Sequence, residues 1–288
     1  MSKLNERTNV RVRQDNSKPS SIWGRWVPQC GNPRCPTKSL TRALTHRRGG
    51  MKIDDRWYCS AECFEQTVRD KIEELITSEG KPARAHSSRL PMGLLLLSRE
   101  ILTSEQLKLA LVHQQLAGVD FGAAVQELGF ATQEQVTAAV AAQWACPVYS
   151  LGDRLPPVPM RIPRQLLDRY EMLPVHYAES ERRLLMGFVR GVHHQILSTI
   201  EHMTSCTAAA CFITGREYNS HLNSPSTTFT SDHEMVSDQI VGSGEMARIT
   251  ATYAGQMTAE RMRLGICRDY LWARIWGRQQ ELDLLFRV

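Results

Sequence analysis

The sequence predicts an α+β chain of several parts: a small cysteine-bearing module, a helical tandem repeat with a small α/β subdomain, and a C-terminal helix with a β-hairpin. Three observations predict it. Four of the eight cysteines form two tight pairs near the N-terminus, Cys30 with Cys35 and Cys59 with Cys63. A 29-residue pattern occurs twice between residues 92 and 143. Near the C-terminus, helical apolar spacing gives way to two strand-like runs around a short polar turn. A hydrophobic share of 42% and a charged share of 23% over 288 residues exclude a wholly disordered chain. No apolar run approaches the roughly 18–20 residues of a membrane helix.

The charge is uneven. Residues 1–52 hold twelve Lys and Arg against Glu6 and Asp15, a net of +10. With a total of +5, the remaining chain nets −5. Residues 1–22 read as a basic flexible tail. A basic head of this kind suits nucleic acid, an anionic membrane surface or an acidic partner, and equally a solvated tail. Trp23 and Trp26 are candidate stacking groups. Met1 to Asn16 is polar and lacks the apolar stretch of a secretory signal, so the expected compartment is cytoplasmic and reducing.

In a reducing compartment, paired cysteines hold a metal more often than they form disulfides. Four thiolates suit a tetrahedral, borderline-soft cation and leave no open position for chemistry, so Cys30, Cys35, Cys59 and Cys63 are expected to bind a structural Zn2+. The alternative is a reduced cluster without metal. Gly31, Asn32 and Pro33 suit a tight turn, and Trp57-Tyr58 reads as a strand end. Phe64, Val68, Ile72, Leu75 and Ile76 then recur at helical spacing, which puts Cys59 and Cys63 in the first turn of a helix, near its positive end. The run from Trp57 to Cys63 resembles the Tyr-Cys-Ser-x-x-Cys element of small treble-clef-like zinc fingers. The first pair departs from them by having four intervening residues. The zinc-binding module is expected over 23–80, with little core of its own, so that metal would supply much of its folding energy.

Ser78 to Arg89, with Gly80 and Pro82, reads as a linker. Beyond it, Met92–Gln114 aligns without gaps on Phe121–Gln143. Identical pairs are Gly93/Gly122, Thr103/Thr132, Glu105/Glu134, Gln106/Gln135, Ala110/Ala139 and Gln114/Gln143. In each unit a short helix ends near Glu100 or Gly129. A capping box, Thr103 with Gln106 or Thr132 with Gln135, then starts the next. Leu107, Ala110 and Leu111 form one apolar face, and Val136, Ala139 and Val140 its counterpart. Each unit is a helical hairpin that can bury its face on the other.

The repeat, followed by Cys146-Pro147-Val148-Tyr149-Ser150-Leu151, resembles the N-terminal domain of type II secretion and type IV pilus assembly ATPases, the MshE-type N-terminal domain family. That family reads Leu-Gly-x-x-Leu, then Gly-Leu-Ile-Thr-x-x-Gln-Leu, then Ala-Leu-x-x-Gln. Ile162 to Val175 is similar to its segment joining a short helix to a strand, and Arg183 to Phe188 to the next strand. Val192–Thr204 and Thr207–Ile213 would be a helix and a final strand. The resemblance implies a bacterial protein with this domain over 88–222, as a tandem repeat (92–143) and an α/β part (150–222). In one branch of the family the tandem motif binds cyclic di-GMP. By that resemblance Arg89, Gly93, Gln114, Gly122 and Gln143 are candidate ligand-binding residues. The branch's arginine positions hold Pro91 and Asp120, its first internal glycine is Glu100, and Arg89 lies two residues out of register. An acid in place of a phosphate-facing cation reverses the electrostatic sign. Glycines and glutamines that serve only helix packing are the alternative.

Asn223 to Gly244 is rich in Ser, Thr, Asp and Gly and reads as a second linker over 223–244. From Glu245, apolar residues recur at helical spacing through Leu264. The runs 269–276 and 281–288 then flank Gly277–Gln280, giving a helix plus hairpin over 245–288. Trp272 and Trp276 read as packing residues, and Arg182-Arg183 as a solvated turn. His193, His194 and His202 read as surface or core histidines, the alternative being a shared metal site, for which no ligand-spaced partner stands nearby. Asp269 falls on an Asp of the ATPases' first catalytic-region strand, although its neighbours depart from the pattern. A nucleotide-hydrolysing motor needs a Gly-x-x-x-x-Gly-Lys-Ser/Thr loop. The only Gly-Lys pair is Gly80-Lys81, followed by Pro82, so the resemblance does not carry ATP hydrolysis. The expectation is a non-catalytic adaptor or regulator that docks a protein partner, such as a secretion or pilus assembly component. Two alternatives stand beside it: nucleic-acid binding through residues 1–52, and a cyclic di-GMP receptor.

Overall fold

The structure is a computed structural model. It describes residues 29–36, 50–79, 89–152, 158–223 and 234–288. The basic tail, Trp23, Trp26, most of the linker before the repeat and residues 224–233 of the second linker lie outside the described residues.

The cysteine module holds β1 (Met51–Ile53), β2 (Arg56–Tyr58) and α1 (Ala61–Glu79). The two strands pair antiparallel through Asp54 and Asp55, both at positive φ (50° and 60°). That is the mirror-image turn that matches strand twist, and Asp tolerates it better than most residues. α1 continues through Glu79, past the expected linker start at Ser78.

The repeat forms α2 (Met92–Ser98), α3 (Ser104–Ala117), α4 (Phe121–Glu127) and α5 (Gln133–Trp144). Both expected capping boxes are made in full: each threonine accepts from the third backbone amide, and each glutamine side chain accepts from the threonine amide. Each box satisfies two of the amide donors that a helix start leaves open. The α/β part comes next as α6 (Arg164–Arg169), β3 (Met172–Ala178), β4 (Arg183–Phe188), α7 (His194–Thr204), β5 (Thr207–Phe212) and α8 (Gly215–Leu222). β3 runs antiparallel to β4, and β5 parallel to it.

The C-terminal part departs from helix plus hairpin by two strands. β6 (Glu234–Ile240) falls inside the expected second linker. α9 (Ser243–Gln256) ends before β7 (Arg261–Cys267), where the apolar spacing had suggested more helix. β8 (Tyr270–Trp276) and β9 (Glu281–Arg287) are the expected hairpin. The order is β6-β9-β8-β7, with β6 parallel to β9. β6 mixes Met235, Val236 and Ile240, all exposed, with polar residues, and it pairs along only one edge, which explains its weak sequence signal. It is fixed by Glu234, whose carboxylate accepts from the amides of Arg164 (2.7 Å) and Gln165 (3.0 Å) at the start of α6.

This four-stranded sheet is the middle layer of the molecule. Leu271, Ala273, Ile275, Leu284 and Phe286 on one face join Phe64, Val68 and Ile72 of α1 and Met246, Ala247, Ala251 and Ala254 of α9 in one core. Tyr270, Trp272, Cys267 and Leu285 on the opposite face join the core of the repeat and the α/β part. The sequence reading treats the cysteine module and the C-terminal piece as separate; the structure gives them one hydrophobic core. The alanines at i, i+4 and i+7 of α9 allow α1 to lie close. Gly265 serves the other face: a Cβ there would stand 2.6 Å from a methyl of Thr199 on α7.

Candidate metal centre

The four cysteines come from three local structures. Cys30 and Cys35 bracket a turn organised by Asn32, which is buried. Its backbone oxygen accepts from the Cys35 amide (3.1 Å), and its Oδ1 accepts from the Arg34 amide (2.8 Å). Its Nδ2 donates to Gln66 of α1 (2.9 Å). The Gly31 amide donates to the Trp57 carbonyl (2.7 Å), and a Cβ at Gly31 would meet the Tyr58 ring at 2.8 Å. The turn therefore sits against β2 only with glycine there. Cys59 comes directly after β2, just before the helix rather than inside it. Cys63 lies in the first turn of α1, whose start is capped by Ser60 Oγ accepting from the Cys63 amide (3.3 Å).

The ligand atoms of Cys30, Cys35, Cys59 and Cys63 all lie within 4.8 Å of one another. Cys35 and Cys59 are 3.5 Å apart at sulfur, as are Cys59 and Cys63. A tetrahedral ion with metal–sulfur bonds of about 2.3 Å has sulfur–sulfur edges of about 3.8 Å. The cluster therefore has the donor type, number and spacing of a closed four-sulfur metal site. Burial pushes the Cys63 thiol up to about 12, with the Cys59 and Cys35 thiols adding to the rise, and burial likewise raises Cys30. Metal binding to Cys63 and Cys30 would therefore release their protons. None of the described cysteines is in a disulfide.

The five residues singled out for a cyclic dinucleotide are placed differently. Gly93 lies where a Cβ would meet Leu107 at 2.6 Å and Phe121 at 3.3 Å, and Gly122 where it would meet Val136 at 3.0 Å. Leu107 and Val136 are repeat equivalents, so in both units this glycine lets the short helix touch the long one. The Arg89 guanidinium lies 3.1 Å from the Trp144 ring centroid. Gln143 Nε2 donates to the Leu90 carbonyl (2.7 Å), while the Gln114 carbonyl accepts from Gly118 at the end of α3. Asp120 caps α4 and pairs with Arg190 (3.5 Å). Trp272 packs as expected, fully buried, with its Nε1 donating to Asp283 (2.6 Å).

Sequence reasoning missed two features. On α3, Leu109, Val112 and Leu116 are 57%, 53% and 83% exposed, at i, i+3 and i+7. The signal was present, because α3 is apolar on more than one side. The second feature is an arginine-lined cleft assembled from four distant segments, which no local pattern announces.

No protein-family model matches the chain, and no curated protein matches it. Among solved structures it is similar to a structure of MshE with cdg, at 19% identity and a TM-score of 0.39, covering 47% of this chain and 98% of that one. It is also similar to the N-terminal domain of XpsE in two crystal forms, at 16% and 18% identity and TM-scores of 0.37 and 0.29. Each of these covers 49% of this chain and 96% of the other. No helix among the described residues is long and apolar enough to cross a membrane.

Proposed function

We propose that the chain is a non-catalytic adaptor that docks a protein partner through the outer face of α3, and that Zn2+ held by Cys30, Cys35, Cys59 and Cys63 staples its N-terminal module. The observation that carries the docking role is the bare stripe of Leu109, Val112 and Leu116. Its repeat equivalents are Ala138 and Ala141 on α5 and Ala145 just past its end; all are small, and Ala141 is only 2% exposed. A contiguous apolar helix face left in water is the form in which a helix enters a partner's groove. The sequence resemblance to secretion and pilus ATPase domains supports a partner from such an assembly. A cyclic-dinucleotide role draws less support, since Gly93 and Gly122 already serve helix contact and Asp120 stands at an expected cation position.

The test uses the full chain and a Leu109→Glu/Val112→Glu double variant. The partner captured by the native chain is purified and titrated against both proteins. The proposal expects binding to be lost in the variant, with metal content and melting temperature unchanged. Partner binding by the folded variant, or ATP turnover by the purified native chain, refutes it. For the metal, elemental analysis should give about one zinc per chain, and Cys59→Ser should remove it. Chelation should lower the unfolding midpoint of the C-terminal sheet as well, because α1 and that sheet share a core.

A further inference from the structure

We infer that the arginine-lined cleft between the end of α7 and the four-stranded sheet binds a small anion carrying two or more phosphates. Its volume is about 590 Å³, within the range of small-ligand sites. The sheet supplies Arg261 and Arg263 from β7 and Arg274 and Trp276 from β8. Arg261 stands opposite Trp276, and Arg263 opposite Arg274. Arg161, before α6, and Arg182, in the β3–β4 turn, complete the lining.

The balance of charge is positive. Arg274 is neutralised by the buried Asp283 (2.7 Å), and Glu281 lies 3.7 Å from it. Arg182, Arg261 and Arg263 make no ion pair among the described residues. Two of them are held in place by carbonyls at the C-terminal end of α7: Arg263 Nη1 donates to His202 (2.6 Å) and Met203 (3.1 Å), and Arg182 Nη2 to Ser205 (2.9 Å). A helix C-terminus carries about half a negative charge, so these bonds orient the two arginines without neutralising them. The guanidiniums of Arg261 and Arg263 lie 4.9 Å and 5.6 Å from the Trp276 ring centroid, which shields them from water on that side. Two carboxylates border the adjoining cleft: Glu260 faces Arg278 at 3.6 Å, and Asp54, which accepts from the Met262 amide, offsets part of the Arg261 and Arg263 charge.

Several planar forks converging on one hollow match the oxygens of a phosphate group, which guanidinium binds in bidentate fashion. The hollow lies between strand ends, a helix end and the 159–161 loop, which suits a compact ligand rather than a strand of nucleic acid. Titration of the full chain with pyrophosphate at constant ionic strength tests the assignment. Saturable binding is expected, with the dissociation constant raised about tenfold or more in Arg182→Gln or Arg261→Gln, since each charge-assisted bond lost is worth about that factor. Arg261→Gln breaks no backbone bond, and its melting curve and zinc content verify that it is folded. Absence of saturable binding, or unchanged affinity in folded Arg261→Gln, overturns the assignment. So does a single-stranded oligonucleotide that binds more tightly than pyrophosphate through the same arginines.

Discussion

The two repeat units begin from one sequence pattern and end in different surroundings. In both, a short helix meets a long one at a glycine, and a complete capping box starts the long helix. The second unit is built into the main core: Val136, Ala139, Val140 and Ala141 of α5 are all buried. In the first unit, Ala110 is the buried residue of α3, and four large apolar side chains face water: Leu109, Val112, Leu116 and also Leu111, which the spacing had placed on the packed face. The hairpin is thus an autonomous local motif, and the cover on its outer face comes from the neighbouring segment of chain. α5 leads directly into the segment whose Val148 bridges to Phe212 of β5, whereas α3 leads only into its own repeat.

The two units should respond most differently to a charge placed at equivalent positions. Ala141→Asp buries an unpaired carboxylate and should cost roughly 3–5 kcal/mol. Val112→Asp, on the exposed face, should change stability by less than about 0.5 kcal/mol while disrupting partner docking. Chemical unfolding of both variants checks this, and comparable losses would show that the outer face of α3 is covered in solution. Next in size are the glycines. Gly93→Ala forces Leu107 to move from 2.6 Å, and Gly122→Ala presses Val136 at 3.0 Å. Both should destabilise, by about 1–3 kcal/mol, with Gly122 the costlier, because the terminal methyl of Leu107 can swing aside whereas the β-branched Val136 is stiff. The reverse ranking would mean that its neighbours lock Leu107 in place. Thr103→Ala and Thr132→Ala should each cost about 1 kcal/mol. A clearly larger loss at Thr132 would show that the second unit couples its cap to the core.

Much of this contrast was legible in the sequence, and the remainder was hidden for definite reasons. The caps, the repeat register and the hairpin 270–287 are local devices, so spacing alone exposes them. The four cysteines were picked out by the same logic of short spacing, and the structure brings them together across a hairpin and a helix start. β6 was hidden because an exposed edge strand without alternation is specified by the strand it joins, not by its own pattern. The shared core of α1 and α9 was hidden because it links residues nearly two hundred positions apart. The arginine cleft was hidden because β7 alternates Arg261 and Arg263 with apolar residues and β8 adds a single Arg274, so each arginine reads in isolation as an ordinary surface charge.

The two units differ by a smaller amount at the turn that joins their helices. Glu100 and Gly129 occupy the same repeat position, and both adopt the left-handed conformation, at φ 57° and 69°. An L-residue with a side chain is strained there by about 1–2 kcal/mol, and glycine is not. Glycine also costs more on folding, because it leaves a freer unfolded chain. Glu100→Gly should therefore stabilise the chain by about 0.5–1 kcal/mol net, and Gly129→Glu should destabilise it by a similar amount. No heavy atom stands within 4 Å of where a Cβ at Gly129 would point, so backbone strain rather than collision is what that variant measures. If Glu100→Gly instead lowers the unfolding midpoint, the Glu100 side chain makes a stabilising contact in solution that offsets its backbone strain, and the two turns are not equivalent.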